Sequence, residues 1–448
     1  MDRTIFKALE DWKTSQRRKV LLVRGARQVG KTYAVRTLSK TFKRFLEVDL
    51  EAHTEVHQFF EGTLEPRQIC EKLGDYFGEP IREGETLLFL DELQACPRAL
   101  SALRYFYEKM PGLHVIGAGS LLEFAIDEIP SQGVGRVTSM HMYPMSLTEF
   151  LQAQGEEGLI RALRKASPGT PLDNAFHLRL NDYLRIYLLI GGMPEVVLAY
   201  RETKQLRECQ DVLSDLIVTF RDDFAKYRKR VPTQRLQEVF ESIPHQGGGK
   251  FVYSRVNPAI HSLAIRDALE LLIKAGLACR IVHTDARGLP LGAQVNPKRF
   301  KVTLVDIGLH QRLLGLDISA HVVGSEKALV NRGCLAEMFA AQELRCSTSW
   351  REPAQQYYWH RESRSSNAEV DLVIQHAGKV VPIEIKAGKR GAMQSMRLFM
   401  KERDLGKGIR SSMEPFGKLP GIDIVPLYAL REYVMRRIDN NERELVPS

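Results

Sequence analysis

The sequence lacks an apolar run long enough to cross a membrane, since no stretch reaches the roughly 18 uncharged apolar residues of a spanning helix. Its first residues include an acidic side chain and no apolar run of the kind found in a signal peptide. A fixed-period repeat and a low-complexity tract are also missing. We therefore expect a cytoplasmic protein that has no membrane partner.

Cysteine is sparse and gives no pattern. The six cysteines are scattered, without close pairs and without the spacing of zinc ligands. Neither a disulfide framework nor a structural zinc is indicated. We expect free thiols that are buried, because free cysteine is among the most buried residue types.

The overall composition is that of a soluble globular protein with several domains. Hydrophobic residues make up 44% and charged residues 27% of the 448 positions. A chain of this length exceeds one ordinary core and suggests roughly three domains. The formal net charge of +9 is compatible with binding a polyanion, but it is spread over a long chain.

A glycine-rich loop near the N-terminus has the pattern Gly-x4-Gly-Lys-Thr, from Gly25 through Gly30. An apolar strand at 19–24 precedes it, and a helical stretch at 33–40 follows. Glycines at these places let backbone N–H groups surround phosphates at a helix N-terminus. The order of strand, loop and helix therefore predicts a nucleotide-binding phosphate loop.

The side chains of this motif indicate ATP and Mg²⁺ as cofactors. Lys31 would neutralise the β- and γ-phosphates, and the Thr32 hydroxyl would bind Mg²⁺. An apolar run at 87–90 then ends in two carboxylates, of which Asp91 would hold the metal and Glu92 would act as general base. The alternative is a pair of solvated carboxylates at the end of a strand.

Two further residues are candidates for contact with the nucleotide. Ser120 follows an apolar strand and would sense the γ-phosphate, although the same sequence suits an ordinary turn between strand and helix. Arg136 would serve as an arginine finger in a neighbouring subunit of a homo-oligomer. A solvated or salt-bridged arginine is the alternative.

Apolar runs at 45–50, 86–90 and 114–117 alternate with helical segments, which predicts a parallel sheet covered on both faces. We assign residues 1–158 to a P-loop ATPase domain and 159–245 to a helical lid or connector. In the segment 246–325, a helix is followed by a strand and a turn, which suggests a winged-helix module. Residues 326–448 form a second α/β domain.

The C-terminal domain contains a constellation of carboxylates and a lysine. Glu384 and Lys386 are two residues apart on a strand and so share one face, while Asp371 lies on the partner strand of a hairpin. Asp371 and Glu384 would bind Mg²⁺, Glu337 would complete the metal shell, and Lys386 would stabilise the attacking hydroxide. The alternative is an amphipathic hairpin whose charged face is exposed to solvent and binds no metal.

The segment 386–410 carries eight basic residues against two acidic ones. Such a segment suits the phosphate backbone of a nucleic acid, of which DNA is the expected form rather than RNA. A merely solubilising surface explains the same charges equally well.

Several segments resemble the prokaryotic AAA-type ATPases that carry a C-terminal DUF4143 domain. These segments are 25–32, 87–94, 143–150, 191–194 and 305–309. The resemblance implies ATP hydrolysis, a winged-helix middle and a restriction-endonuclease-like C-terminal domain. The Glu…Asp…Glu-x-Lys set is similar to the nuclease core called PD-(D/E)xK. Family membership itself implies no cellular role.

Two functions remain open at this point. In the first, the nucleotide state of the ATPase controls a metal-dependent, nuclease-like domain that acts on DNA. In the second, a regulatory or scaffolding ATPase has a C-terminal domain that binds nucleic acid or protein without cutting it. Both share the same ATP site.

Overall fold

The computed structural model describes residues 1–119, 122–123, 135–227, 230–318, 332–361, 367–386 and 393–436. These residues fold into two units. The first unit consists of Met1–Tyr143 together with Lys274–Leu277 and Ser349–Pro353, and the remaining described residues form the second.

The first unit alternates strands and helices. Its elements are α1 (Ile5–Thr14), β1 (Val20–Arg24), α2 (Lys31–Ser39), β2 (Arg44–Asp49), α3 (Pro66–Phe77), β3 (Thr86–Asp91), α4 (Pro97–Lys109), β4 (His114–Ala118) and β5 (Val137–His141). The strands form a parallel sheet in the order β2-β3-β4-β1-β5. Every residue of β3 and β4 is buried, as expected for strands covered on both faces. The predicted parallel sheet is confirmed.

The second unit begins with helices and ends with a large sheet. Its helices are α5 (Leu147–Ala153), α6 (Glu157–Lys165), α7 (Asn174–Ile190), α8 (Pro194–Thr203), α9 (Leu206–Asp223), α10 (Thr233–His245), α11 (Ser262–Lys274, whose last residue belongs to the first unit), α12 (Ile307–Leu313), α13 (Arg332–Arg345) and α14 (Gln394–Glu402). Its strands are β6 (Ala278–Thr284), β7 (Val295–Leu304), β8 (Gln356–Arg361), β9 (Ala368–His376), β10 (Lys379–Ile385), β11 (Gly408–Ser412), β12 (Gly417–Leu419) and β13 (Ile422–Pro426).

These strands form one mixed sheet in the order β12-β13-β11-β10-β9-β8-β6-β7. Strands β9 and β10 are the predicted hairpin, and the turn between them uses Ala377 and Gly378, both with positive φ. Two such residues suit a tight hairpin turn. Strand β6 pairs with β7 and also with β8, so the strand pair expected of a winged-helix module belongs to the same sheet as the C-terminal strands. The winged-helix assignment and the domain boundaries stay predictions.

The α/β character of both units is confirmed, and the nuclease-like character of the second stays a prediction. Within the described ranges, no helix combines the length and the apolar character needed to cross a membrane. All six cysteines are free thiols, as expected, but only Cys70, Cys96 and Cys209 are fully buried.

Candidate functional site

The loop between β1 and α2 requires glycine at its first position. Gly25 has a φ of 140°, and a Cβ there would lie 2.3 Å from the carbonyl oxygen of Met142. Gly30 has a φ of 92° and directly precedes the first residue of α2. The loop therefore leads into a helix N-terminus, whose unpaired N–H groups attract anions.

Lys31 lies at the start of α2 and is held by the loop itself. Its ammonium donates hydrogen bonds to the carbonyl oxygens of Gly25 and Ala26, at 3.0 and 2.9 Å. Burial lowers the pKa of Lys31 to about 8, and the carboxylates of Glu92 and Asp91 oppose that shift. A buried lysine with carbonyl partners that a phosphate oxygen can replace is poised to bind an anion.

Thr32 and Asp91 meet although they are far apart in the chain. The Thr32 hydroxyl donates a 2.7 Å hydrogen bond to Oδ2 of Asp91, and the Glu92 N–H donates to Oδ1 at 2.9 Å. Burial raises the pKa of the Asp91 carboxyl, and these two hydrogen bonds act against the shift. The oxygen atoms of Thr32 and Asp91 are of the kind that Mg²⁺ prefers, so the residues present fit that ion.

Glu92 is held by a residue that the motif analysis did not single out. The side-chain amide of Gln94 donates a hydrogen bond to Oε2 of Glu92. Gly119, just beyond β4, makes room for Gln94, because a Cβ there would lie 2.1 Å from Oε1 of Gln94. Glu92 itself has a φ of 50°, a backbone conformation that is uncommon outside glycine. The local structure thus fixes the direction of the Glu92 side chain.

Arg3 is a second residue that sequence reasoning missed. It is buried, and its guanidinium donates to the carbonyl oxygens of Val29 and Tyr143, at 3.1 and 2.8 Å. These hydrogen bonds link the phosphate loop, through Val29, to the backbone at Tyr143. The only signal in the sequence is an arginine near the N-terminus, which has no motif around it.

The two remaining candidates for contact with the nucleotide are Ser120 and Arg136. Ser120 lies outside the described residues. Arg136 forms an ion pair with Glu108 within the first unit. Its role as an arginine finger stays a prediction.

In the second unit, Asp371, Glu384 and Lys386 come together at the end of the β9–β10 hairpin. Lys386 directly follows β10 and pairs with Glu384 at 2.6 Å. Oδ2 of Asp371 accepts a 2.7 Å hydrogen bond from the Ile385 N–H. Burial raises the pKa of both carboxyl groups, and the negative charge of Asp371 raises that of Glu384 further.

Lys301 on β7, which was not among the sequence candidates, also lies in this group. Its ammonium is 3.2 Å from Oε2 of Glu337 and forms a second ion pair with Glu369. Burial raises the pKa of Glu337 to about 7, against the opposing effect of Lys301. We call Lys301, Glu337, Glu369, Asp371, Glu384 and Lys386 the carboxylate–lysine cluster.

The fit of a metal ion to this cluster is mixed. Oε2 of Glu384 is buried and has no hydrogen-bond partner among the described residues, which is the condition a cation would relieve. However, lysines pair with Glu337 and with the other oxygen of Glu384. Across the described ranges, no three His, Cys, Asp or Glu side chains are arranged to hold a metal ion. Metal binding by Glu337, Asp371 and Glu384 stays a prediction.

Family models match successive parts of the chain. A model described as an AAA domain matches residues 17–151, which include the phosphate loop and the Asp91–Glu92 pair. A domain of unknown function, DUF4143, matches residues 332–430. The chain contains an AAA domain and a DUF4143 domain. Between them, residues 181–320 match another domain of unknown function, DUF8612.

Solved structures similar to the chain are P-loop ATPases with low sequence identity. A Walker-type ATPase of Pyrococcus abyssi is 16% identical with a TM-score of 0.46, over 70% of this chain and 95% of that one. The ORC1 protein of Aeropyrum pernix, solved in complex with DNA, is 12% identical with a TM-score of 0.29, over 69% and 90%. At these values the likeness carries no functional information. A comparison with curated proteins finds no significant match.

Three of the segments that carry the family resemblance, 143–150, 191–194 and 305–309, meet at one buried hydrogen-bond network. Asp306 is fully buried, and its carboxylate accepts from the N–H groups of Gly192, Gly308 and Leu309. The Tyr187 hydroxyl donates to the carbonyl oxygen of Met145 at 2.5 Å. Gln342 on α13, at the start of the DUF4143 domain, donates to both Tyr187 and Asp306. These motifs are therefore joined by buried hydrogen bonds.

Two cavities of about 700 and 750 Å³ lie in the second unit and share Arg287 and Arg403 as lining residues. The basic side chains that line them are Arg287, Arg299, Arg361, Lys379, Arg403 and Lys407, against the acidic Asp285, Glu402 and Asp404. Arg403 is anchored by a 2.9 Å hydrogen bond to the carbonyl oxygen of Asp285. We call the two cavities the basic groove. The excess of positive charge suits a phosphate-bearing ligand.

Proposed function

We propose that the AAA domain hydrolyses ATP with Mg²⁺ at the site formed by the phosphate loop, Asp91 and Glu92. The observation that carries this proposal is the 2.7 Å hydrogen bond from Thr32 to Asp91. It brings together the two oxygen groups that hold Mg²⁺ in P-loop ATPases. Mg²⁺, when bound, supplies positive charge to the phosphates.

The protein side chains divide the remaining work. Lys31 exchanges its contacts with the carbonyls of Gly25 and Ala26 for the β- and γ-phosphate oxygens of ATP. Glu92, with its direction set by Gln94, accepts a proton from the attacking water.

The test is the rate of phosphate release by the purified full chain with ATP and Mg²⁺. In the Lys31→Ala variant, turnover should fall by about a hundredfold or more, since removing one preorganised donor has that effect. Titration with a fluorescent ATP analogue should show weaker binding as well. Lys40→Ala, an exposed lysine nine residues further along, is the matched control and should behave as wild type. Equal turnover by Lys31→Ala and Lys40→Ala would show that this site does not hydrolyse ATP as proposed.

For the second unit, we propose binding of nucleic acid without cleavage, under the control of the nucleotide. The basic groove supports this proposal, because it offers several arginine and lysine side chains to a phosphodiester backbone. DNA is the first form to test.

A contact at the phosphate loop supports control by the nucleotide. A Cβ at Gly276 would lie 3.0 Å from the amide nitrogen of Ala26, so the segment 274–277 packs closely on the loop. Two residues beyond Gly276 the chain enters β6, a strand of the large sheet. Movement of the loop on binding ATP would therefore reach that strand through a short stretch of chain. DNA affinity should differ between the ATP-bound and ADP-bound chain.

A metal-dependent nuclease is the second candidate function. The buried Oε2 of Glu384, which has no hydrogen-bond partner among the described residues, favours it. Incubation of labelled DNA with Mg²⁺ or Mn²⁺ distinguishes the two. If wild type cleaves the DNA and both Asp371→Ala and Lys386→Ala do not, the second unit is a nuclease. If the DNA is bound but stays intact, the result supports binding without cleavage.

A further inference from the structure

The carboxylate–lysine cluster contains a buried lysine, Lys301, that contacts two of its carboxylates. The Lys301 side chain is only 4% exposed, and its ammonium contacts Glu337 and Glu369. It also lies 5.3 Å from the centroid of the Tyr358 ring, which favours a cation. A buried lysine with two carboxylate partners is strongly held.

The partners of Lys301 come from separate elements. Glu337 lies on α13, whereas Glu369 and Asp371 lie two residues apart on β9 and so share one face of that strand. Burial alone would lower the pKa of Lys301, but the negative charges of Glu337, Glu369 and Asp371 raise it. Carboxylates from a helix and from a strand therefore converge on one positive charge, that of Lys301.

Two positive charges cannot share that position easily. A divalent ion beside Glu337 and Asp371 would lie next to the ammonium of Lys301, and like charges in a buried setting repel strongly. If Lys301 rotated into solvent, the partly buried carboxylates of Glu337 and Glu369 would lose the positive charge that balances them. The ammonium therefore competes directly with a metal ion.

We propose that Lys301 is the resident cation of the carboxylate–lysine cluster and occupies the place of a divalent metal. The cluster then holds β7, α13 and β9 together without a metal. This inference deepens the proposed binding without cleavage and rests on it for its biological meaning, while its test is independent of DNA and ATP.

The first test is a Mn²⁺ titration of the full chain without nucleotide, in which the EPR signal of free Mn²⁺ measures how much ion is bound. Wild type and Asp371→Asn should give the same binding curve, because neither has a metal site in the cluster. A stoichiometric Mn²⁺ site in wild type that Asp371→Asn removes would overturn the inference. This comparison needs no change to Lys301 itself.

The second test removes the ammonium. Lys301→Met should be less stable than wild type, and it should gain a Mn²⁺ site that raises its melting temperature and disappears again in the double variant with Asp371→Asn. Lys298→Met, an exposed lysine on the same strand, is the matched control and should gain no site. A folded Lys301→Met chain without the new site contradicts the inference. If the variant does not fold, the wild-type comparison still decides it. A failure of DNA binding or ATP hydrolysis affects the proposed function and leaves these metal measurements unchanged.

Discussion

At the scale of single residues, the nucleotide site depends on side chains beyond the motif. The side-chain amide of Gln94 donates a hydrogen bond to Glu92, so we expect Gln94 to act as a positioning residue. We expect Gln94→Ala to lower kcat by about tenfold, since small misplacements of a catalytic group cost up to roughly a hundredfold. KM for ATP should stay within twofold of wild type, because Lys31 and the loop are untouched.

Steady-state kinetics of Gln94→Ala measure kcat and KM for ATP separately. Gln58→Ala, an exposed glutamine of the same unit, provides the control and should match wild type in both constants. An increase in KM with an unchanged kcat would show that Gln94 acts in binding ATP and not in orienting Glu92.

The site residues that the sequence predicts are those that belong to a local pattern. The loop through Lys31 and Thr32 and the strand ending in Asp91 are each readable over a few positions. Lys301 and Arg3 were not readable in this way, because their partners are distant in the chain: Glu337 and Val29 lie 36 and 26 residues away. A lone lysine or arginine carries no pattern until the fold brings its partners to it.

At the scale of elements, Asp306 joins several helices. Its buried carboxylate caps α12 and also accepts from the Gly192 N–H and the Gln342 amide. Asp306→Ala leaves these donors unpaired in a buried setting, so we expect the free energy of unfolding to fall by about 3 kcal/mol. Denaturant unfolding of the full chain measures the change.

Asp211→Ala is the matched control, since Asp211 is exposed on α9. It should unfold within about 0.5 kcal/mol of wild type, as surface substitutions do. An Asp306→Ala chain as stable as this control would show that the network does not stabilise the fold.

The elements themselves were largely predictable. The hydrophobic pattern placed β3, β4 and the β9–β10 hairpin within a few residues of their observed bounds. The pairing of β6 with β8 was not predictable, because residues 281 and 356 are paired by the sheet and share no turn. Periodicity identifies a strand, whereas the neighbour of a strand depends on tertiary packing.

At the scale of the whole molecule, the charge distribution predicts how DNA binds. The basic groove offers arginine and lysine side chains to phosphates, so affinity should come mainly from counterion release. Between about 50 and 200 mM salt, the binding constant should fall by about a thousandfold or more if several phosphates are contacted. Fluorescence anisotropy with a labelled DNA measures this slope.

A substitution of Arg287, which lines both cavities of the basic groove, tests whether DNA binds in this groove. Arg287→Ala should weaken binding and reduce the salt slope by about one. Arg207→Ala, an exposed arginine on α9, should leave both unchanged. Binding that ignores salt, or an equal effect of the two variants, would favour a protein partner for the second unit.

Glu92→Gln is the variant that tests whether the AAA domain hydrolyses ATP with Glu92 as general base. The amide keeps the shape of the side chain but cannot accept the proton of the attacking water. Nucleotide binding and single-turnover hydrolysis are measured on the same preparation of the full chain. Glu92→Gln should bind ATP as tightly as wild type and hydrolyse it about a hundredfold to ten-thousandfold more slowly. Hydrolysis at the wild-type rate would exclude Glu92 as the general base.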